Sequence, residues 1–93
     1  MSVTPKRPPR ILTPEEGVEY RWQFGKETEL ELRADVDGEA SRVFWYVDGN
    51  LIGETPPGRS LFWEATTGNR TIRVLDSFGA SDAVRISVTP QEN

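Results

Sequence analysis

The chain has 93 residues, of which 11 are basic and 15 acidic, and it contains neither cysteine nor histidine. A chain of this length buries roughly 60 to 65% of its unfolded surface, enough for one two-layer core but not for two lobes around a deep cleft. The missing thiols and imidazoles exclude a disulfide framework, a thiolate nucleophile, an imidazole base and zinc, haem or iron–sulfur centres, and the net charge of −4 argues against a nucleic-acid partner.

Residues 1–9 hold Pro5, Pro8, Pro9, Lys6 and Arg7 and almost nothing apolar, the composition of a Pro-rich basic linker in an extended, hydrated conformation. Three of the 11 basic residues fall in the first ten positions, which carry no acid, so the remainder sets 8 basic against 15 acidic side chains. The packed domain is expected over residues 10–89, with a polar tail over 90–93. No apolar run approaches the ~20 residues of a membrane span, and the start has no signal-peptide core, so any export signal is expected outside this chain.

From Arg10 onward the apolar residues recur with a period of two. Arg10 to Thr13 reads as an edge strand. Val18, Tyr20, Trp22 and Phe24 then alternate with Glu19, Arg21 and Gln23. Glu29 to Asp37 is the clearest case: Leu30, Leu32, Ala34 and Val36 face one way and every intervening residue is charged, the pattern of a half-buried antiparallel strand. Trp45 shares its parity with Val43 and Val47 and is assigned to the core. Asp48-Gly49-Asn50 follows as a tight hairpin turn, with a second edge strand near Leu51. Leu61, Trp63 and Ala65 look inward, as do Ile72 and Val74, and Val84, Ile86 and Val88 close the series. Turn residues separate the runs at 14–17, 25–28, 38–41, 56–58, 67–69 and 77–80. Short strands at this spacing with no helical segment predict an all-β fold, an immunoglobulin-like antiparallel β-sandwich of about seven strands.

The run from Phe44 to Glu54 (FWYVDGNLIGE), followed by Pro56, Gly58, Leu61, Trp63, Gly68, Ile72, Val74, Asp76 and Gly79, resembles the C-terminal domain of penicillin-binding protein 1C, a family of bifunctional peptidoglycan synthases. The segment Arg10 to Tyr20, with its Ile-Leu-x-Pro-x-x-Gly-x-x-aromatic pattern, resembles the family's opening strand. The likeness spans about residues 10 to 89. It implies a place on the outer, periplasmic side of a bacterial cytoplasmic membrane, in a membrane-anchored protein whose preceding glycosyltransferase and transpeptidase domains carry the catalysis. The transpeptidase signatures are missing here: no Ser is followed three residues on by Lys, and Lys26 precedes Glu27 rather than Thr-Gly. No catalytic residue is therefore carried over, and this domain is expected not to be an enzyme.

Other chemistry fares no better. A glycosidase needs two carboxylates about 5 to 9.5 Å apart in a sugar-sized cleft, whereas the acids of the Glu29 strand are its solvent side. Aligning Gly38 with the glycine of a calcium loop places Asp35 and Asp37 at ligand positions, but Arg33 and Phe44 fall on two others, so the pattern fails and a strand end with a turn accounts for these residues. Neither a metal nor a cofactor is expected. Asn69-Arg70-Thr71 is a formal glycosylation sequon that reads as a turn.

Parity leaves Phe44, Tyr46 and Phe62 facing away from the core, where an antiparallel sheet ordinarily shows polar residues. Aromatic side chains there supply large contact area at little entropic cost. With Arg42 and Asn50 they form the candidate interaction surface. Three roles are open to it: docking to the catalytic domains of the same synthase or to another cell-wall protein, binding peptidoglycan glycan strands as a carbohydrate-binding module, or burial in a passive spacer domain.

Overall fold

The computed structural model describes residues 8–22, 29–37 and 39–90. Eight strands follow in order: β1 (Arg10–Thr13), β2 (Glu19–Trp22), β3 (Glu29–Asp35), β4 (Val43–Val47), β5 (Asn50–Thr55), β6 (Leu61–Glu64), β7 (Gly68–Asp76) and β8 (Ser81–Pro90). Two sheets result, one of three strands in the order β1-β3-β6 and one of five in the order β2-β8-β7-β4-β5. Their facing surfaces enclose the core, because each strand hides alternate residues: Leu30, Leu32 and Ala34 on β3, Val43, Trp45 and Val47 on β4, Ile72 and Val74 on β7, and Val84, Ile86 and Val88 on β8. Trp45, Leu32, Ile72 and Val74 are fully buried. The β-sandwich and the inward place of Trp45 are as the alternation predicts.

The eight strands fit the expected count of about seven. Two features differ from the sequence reading. One pair, β2 and β8, runs parallel, with Glu19 opposite Ser87 and Tyr20 opposite Val88. Alternation reports which face of a strand is buried and is silent on the direction of its neighbour, so this pairing left no trace in the pattern. The C-terminal boundary also moves, since Pro90 is the last residue of β8 rather than the first of a tail. At the other end Pro9 is already buried. Residues 1–7 of the expected linker, Phe24, the 25–28 turn, Gly38 and residues 91–93 lie outside the described residues.

The β4–β5 hairpin turns on Asp48 (φ 50°) and Gly49 (φ 83°), both left-handed, so that Val47 pairs with Asn50. Positive φ at both central residues is the signature of the primed two-residue turn, which matches the right-handed twist of the strands it joins. Asp48 is also fastened to β7. Its N–H donates to the Thr71 carbonyl (2.9 Å), its Oδ1 accepts from the Thr71 N–H (2.9 Å), and its Oδ2 meets Arg70 Nη1 at 2.9 Å. The Thr71 N–H first, and then Arg70, hold the Asp48 carboxyl below its usual range. Arg70 donates further to the carbonyls of Thr66 and Thr67, so one guanidinium ties the hairpin tip to the β6–β7 loop.

The opposite end of the sandwich is organised by Asp76, which is only 2% exposed. Its Oδ1 accepts from the N–H groups of Phe78 and Ala80 (2.9 Å each), and its own N–H donates to the Ala80 carbonyl, closing the β7–β8 turn. Asp37 builds a similar short turn, its Oδ1 accepting from the Glu39 N–H and its carbonyl from the Ala40 N–H. These are the strand-end turns expected around Asp35 to Glu39. Both predicted edges are edges: β1 bounds the smaller sheet and β5 the larger.

Candidate functional site

The outer face of the five-stranded sheet is set by the odd-even register of β5, β4, β7 and β8. Two neighbouring rows cross it. Glu54 lies opposite Phe44, Phe44 opposite Leu75, and Leu75 opposite Ser81. In the next row Leu51 lies opposite Tyr46, Tyr46 opposite Arg73, and Arg73 opposite Ala83. Directly opposed side chains on a sheet face are about 4.5 to 5.5 Å apart at Cβ, so Phe44, Tyr46, Leu51 and Leu75 form one contiguous apolar patch. Phe44, Tyr46 and Leu75 are half-buried within the sheet face, and Leu51 is 58% exposed at its edge.

A bulge between Trp45 and Tyr46 creates this arrangement. Trp45 pairs with Gly53 and Tyr46 with Leu51, leaving Ile52 as the additional residue, partly buried against the core. The bulge turns Leu51 onto the outer face beside Tyr46 while keeping the β5 edge from presenting an uninterrupted ladder. A Cβ at Gly53 would stand 3.0 Å from a δ-carbon of Leu61 on β6, so a larger residue there requires the Leu61 side chain to give way.

The candidate residues are therefore not all brought together. Phe44 and Tyr46 share a face. Arg42, two residues before Phe44 on the same parity, is exposed beside them and pairs with Glu54 at 3.2 Å. Asn50 opens β5 at the hairpin end, exposed and one position from Leu51. Phe62, 60% exposed, stands on β6 opposite Glu31 of β3, on the outer face of the other sheet. The alternation placed Phe62 away from the core correctly but carried no information on which sheet it joins.

Leu75, Arg73 and Arg85 were passed over, although continuing the parity of Ile72 and Val74, and of Val84 and Ile86, puts all three outward. Arg73 donates to Ser81 Oγ at 3.3 Å. Around Arg73 and Arg85 lies an open hollow of about 640 Å³, lined also by Glu16, Thr71, Asp82 and Ala83. Each of its two carboxylates also accepts a backbone N–H, Glu16 that of Arg85 and Asp82 that of Ile11 at 2.9 Å, so the hollow holds two acids beside two guanidiniums. Among the described residues no group of three or more Asp or Glu is placed to hold a metal ion, and no helix is long and apolar enough to cross a membrane.

This architecture is that of the fibronectin type III and immunoglobulin-like β-sandwiches. It is similar to the fibronectin(III)-like modules of Clostridium thermocellum CbhA (TM-score 0.72, 24% identity, 90% of this chain and 99% of that one). Titin M4 is also similar (TM-score 0.56, 18% identity, 95% and 100%). So is Bacteroides ovatus SGBP-B, solved in complex with a mixed-linkage heptasaccharide (TM-score 0.52, 17% identity, 96% of this chain but 26% of that one). At 24% identity or less these likenesses show the fold. Comparison with functionally curated proteins gives no match. The family comes from the sequence: residues 2–86 match the model of the Penicillin-Binding Protein C-terminus Family, and the chain belongs to that family. It is thus a C-terminal domain of a penicillin-binding protein, built as a small all-β sandwich.

Proposed function

We propose that this domain is a docking module of a penicillin-binding protein 1C-like peptidoglycan synthase in cell-wall biogenesis. It works on the periplasmic side of the membrane and binds the catalytic domains of the same synthase or another cell-wall protein. The observation that carries this reading is the contiguous Phe44, Tyr46, Leu51 and Leu75 patch on an outer sheet face, where solvent-facing strands ordinarily present polar residues. Its mechanism is surface complementarity, with the two rings as anchors whose burial excludes water from the centre of the contact.

A glycan platform needs two or three coplanar exposed aromatics with neighbouring polar donors, whereas Tyr46 and Phe62 stand on the outer faces of opposite sheets. The spacer reading leaves the outer patch without a use. The test is a titration of the isotope-labelled chain with the glycosyltransferase–transpeptidase region of a penicillin-binding protein 1C, following backbone amides. Docking predicts saturable shifts at residues 44, 46, 51 and 75 that vanish in a Phe44→Ser, Tyr46→Ala double variant. Shifts of the same amides with soluble peptidoglycan fragments, and none with the protein, would replace docking by glycan retention.

A further inference from the structure

The β6 edge of the smaller sheet is open to a further strand. Among the described residues β6 pairs with β3 alone, in an unbroken register from Glu29 opposite Glu64 to Leu32 opposite Leu61. The edges β1 and β5 are guarded. β1 is interrupted by a register shift between Ile11 and Thr13, and the Ile11 N–H is taken by Asp82, while β5 carries the bulge beside Tyr46. β6 reads Leu61-Phe62-Trp63-Glu64 and has no bulge, proline or lysine, the devices with which an edge ordinarily refuses a neighbour. Its core side is incomplete as well: Leu30 and Leu32 of β3 are buried, whereas Trp63 and Leu61, directly opposite, are only partly buried because no strand lies beyond them.

The outer side of the same edge sets the charge that a neighbour must carry. Glu64 stands directly opposite Glu29, and neither has a lysine or arginine within ion-pair distance among the described residues. Arg33 is four positions beyond Glu29 on β3, and Arg59 precedes Glu64 by five, so both stand roughly 13 Å or more along the strands from this row. Arg70, past the end of β6, is bound to Asp48 and to the carbonyls of Thr66 and Thr67. Phe62, 60% exposed, occupies the next row opposite Glu31, whose carboxylate accepts the Ser60 hydroxyl at 2.6 Å.

We infer that β6 accepts an extended segment of a partner protein whose residues alternate basic and apolar. A strand added to an edge sends successive side chains to opposite sides of the sheet. The apolar set therefore covers Leu61 and Trp63 on the core side, and the basic set meets Glu64 and Phe62 on the outer side. A cation opposite Glu64 relieves the like-charge pair with Glu29, and a cation opposite Phe62 meets an exposed aromatic ring. The docking face lies on the other sheet, so this second site goes beyond the docking reading and does not depend on it.

The probe is a short synthetic peptide of alternating Lys and Val, titrated into the isotope-labelled chain. Three control peptides of the same length accompany it: Gln in place of Lys, all Lys followed by all Val, and the alternating sequence N-methylated throughout, which removes its backbone donors. The inference predicts saturable amide shifts at residues 61 to 64 and 29 to 32, with residues 44, 46 and 75 unmoved. It predicts about tenfold weaker binding of the Gln peptide, and of the Lys and Val peptide to a Glu64→Lys variant, and no saturable binding of the other two controls. Equal binding of the Gln or the block peptide overturns the basic and apolar alternation, and equal binding of the methylated peptide overturns strand addition. Shifts confined to the larger sheet, or none at β6 up to about 1 mM peptide, overturn the site. Concentration-dependent shifts at residues 61 to 64 without peptide would give the edge to a second copy of this chain and overturn the proposal as well. Each of these failures leaves the docking titration unaffected.

Discussion

The two outer surfaces of this sandwich come from strands with the same alternation, yet they are built for different ends. The face of β1-β3-β6 carries Glu29, Glu31, Asp35 and Glu64 with Arg10 and Arg33, and Glu29 lies directly opposite Glu64. Such a surface is hydrated and self-repelling. The face of β4, β7 and β8 replaces charge at its centre with Phe44, Tyr46 and Leu75, with Arg73 beside Tyr46. On the docking reading proposed above, one sheet is finished against water and the other against a partner. Leu12 and Phe62, both exposed on the acidic side, do not alter this, because they stand on the two edge strands with β3 between them and isolated surface hydrophobes are ordinary.

The largest expected effect separates inside from outside on one strand. Trp45→Ala should cost about 3 to 5 kcal/mol and melt or nearly melt the domain, while Phe44→Ser with Tyr46→Ala, one residue to either side, should leave a folded sandwich. Urea denaturation followed by circular dichroism checks both. Unfolding by the double variant would mean that those rings belong to the core and that the face is not free for a partner.

Next in size is the hairpin clamp. Asp48→Ala removes the acceptor for Thr71 and Arg70 and forces a non-glycine, non-Asx residue into a left-handed conformation, costing about 1 to 2 kcal/mol in the same assay. The carboxyl of Asp48 also gives a pH signature. Its folded pKa lies below its ordinary value of 3.8, so its stabilisation is full above that value and is lost as pH falls from there through the depressed folded value. The pair is partly exposed, so solvent screening keeps the effect below about 1 kcal/mol. Asp48→Asn should flatten that part of the acid-stability profile, and an unchanged profile would show that the clamp contributes nothing.

The smallest effect lies on the acidic face. Glu64→Lys should stabilise the domain by about 0.2 to 1 kcal/mol by replacing a like-charge cross-strand pair with an opposite one. It should leave docking untouched, as should Phe62→Ser. A loss of docking from either would move the partner surface to the wrong sheet and dissolve the contrast between the faces.

How much of this was legible in the sequence divides along the same physical line. Period-two alternation specifies burial, so the inward Trp45, the outward Phe44 and Tyr46, and the charged side of β3 could be read directly. Asp48-Gly49 announced its turn because few residues tolerate that backbone. The assignment of strands to sheets depends on long-range pairing, which leaves no local signal. For that reason Phe62 was grouped with Tyr46, the parallel partner of β2 was missed, and the rows that bring Arg73 beside Tyr46 emerged only from the register. The bulge at Tyr46, one residue in length, likewise set Leu51 on the outer face without any motif to mark it. Asp76 was read only as part of a family likeness; its burial and its hold on the β7–β8 turn follow from the fold.

The most direct test of the account is the amide titration of the labelled chain with the catalytic region of a penicillin-binding protein 1C, read as a map over both sheets. The account predicts shifts concentrated at residues 44, 46, 51, 73 and 75, with residues 12, 31, 33, 62 and 64 unmoved. Shifts on the second set, with the first set silent, would contradict it.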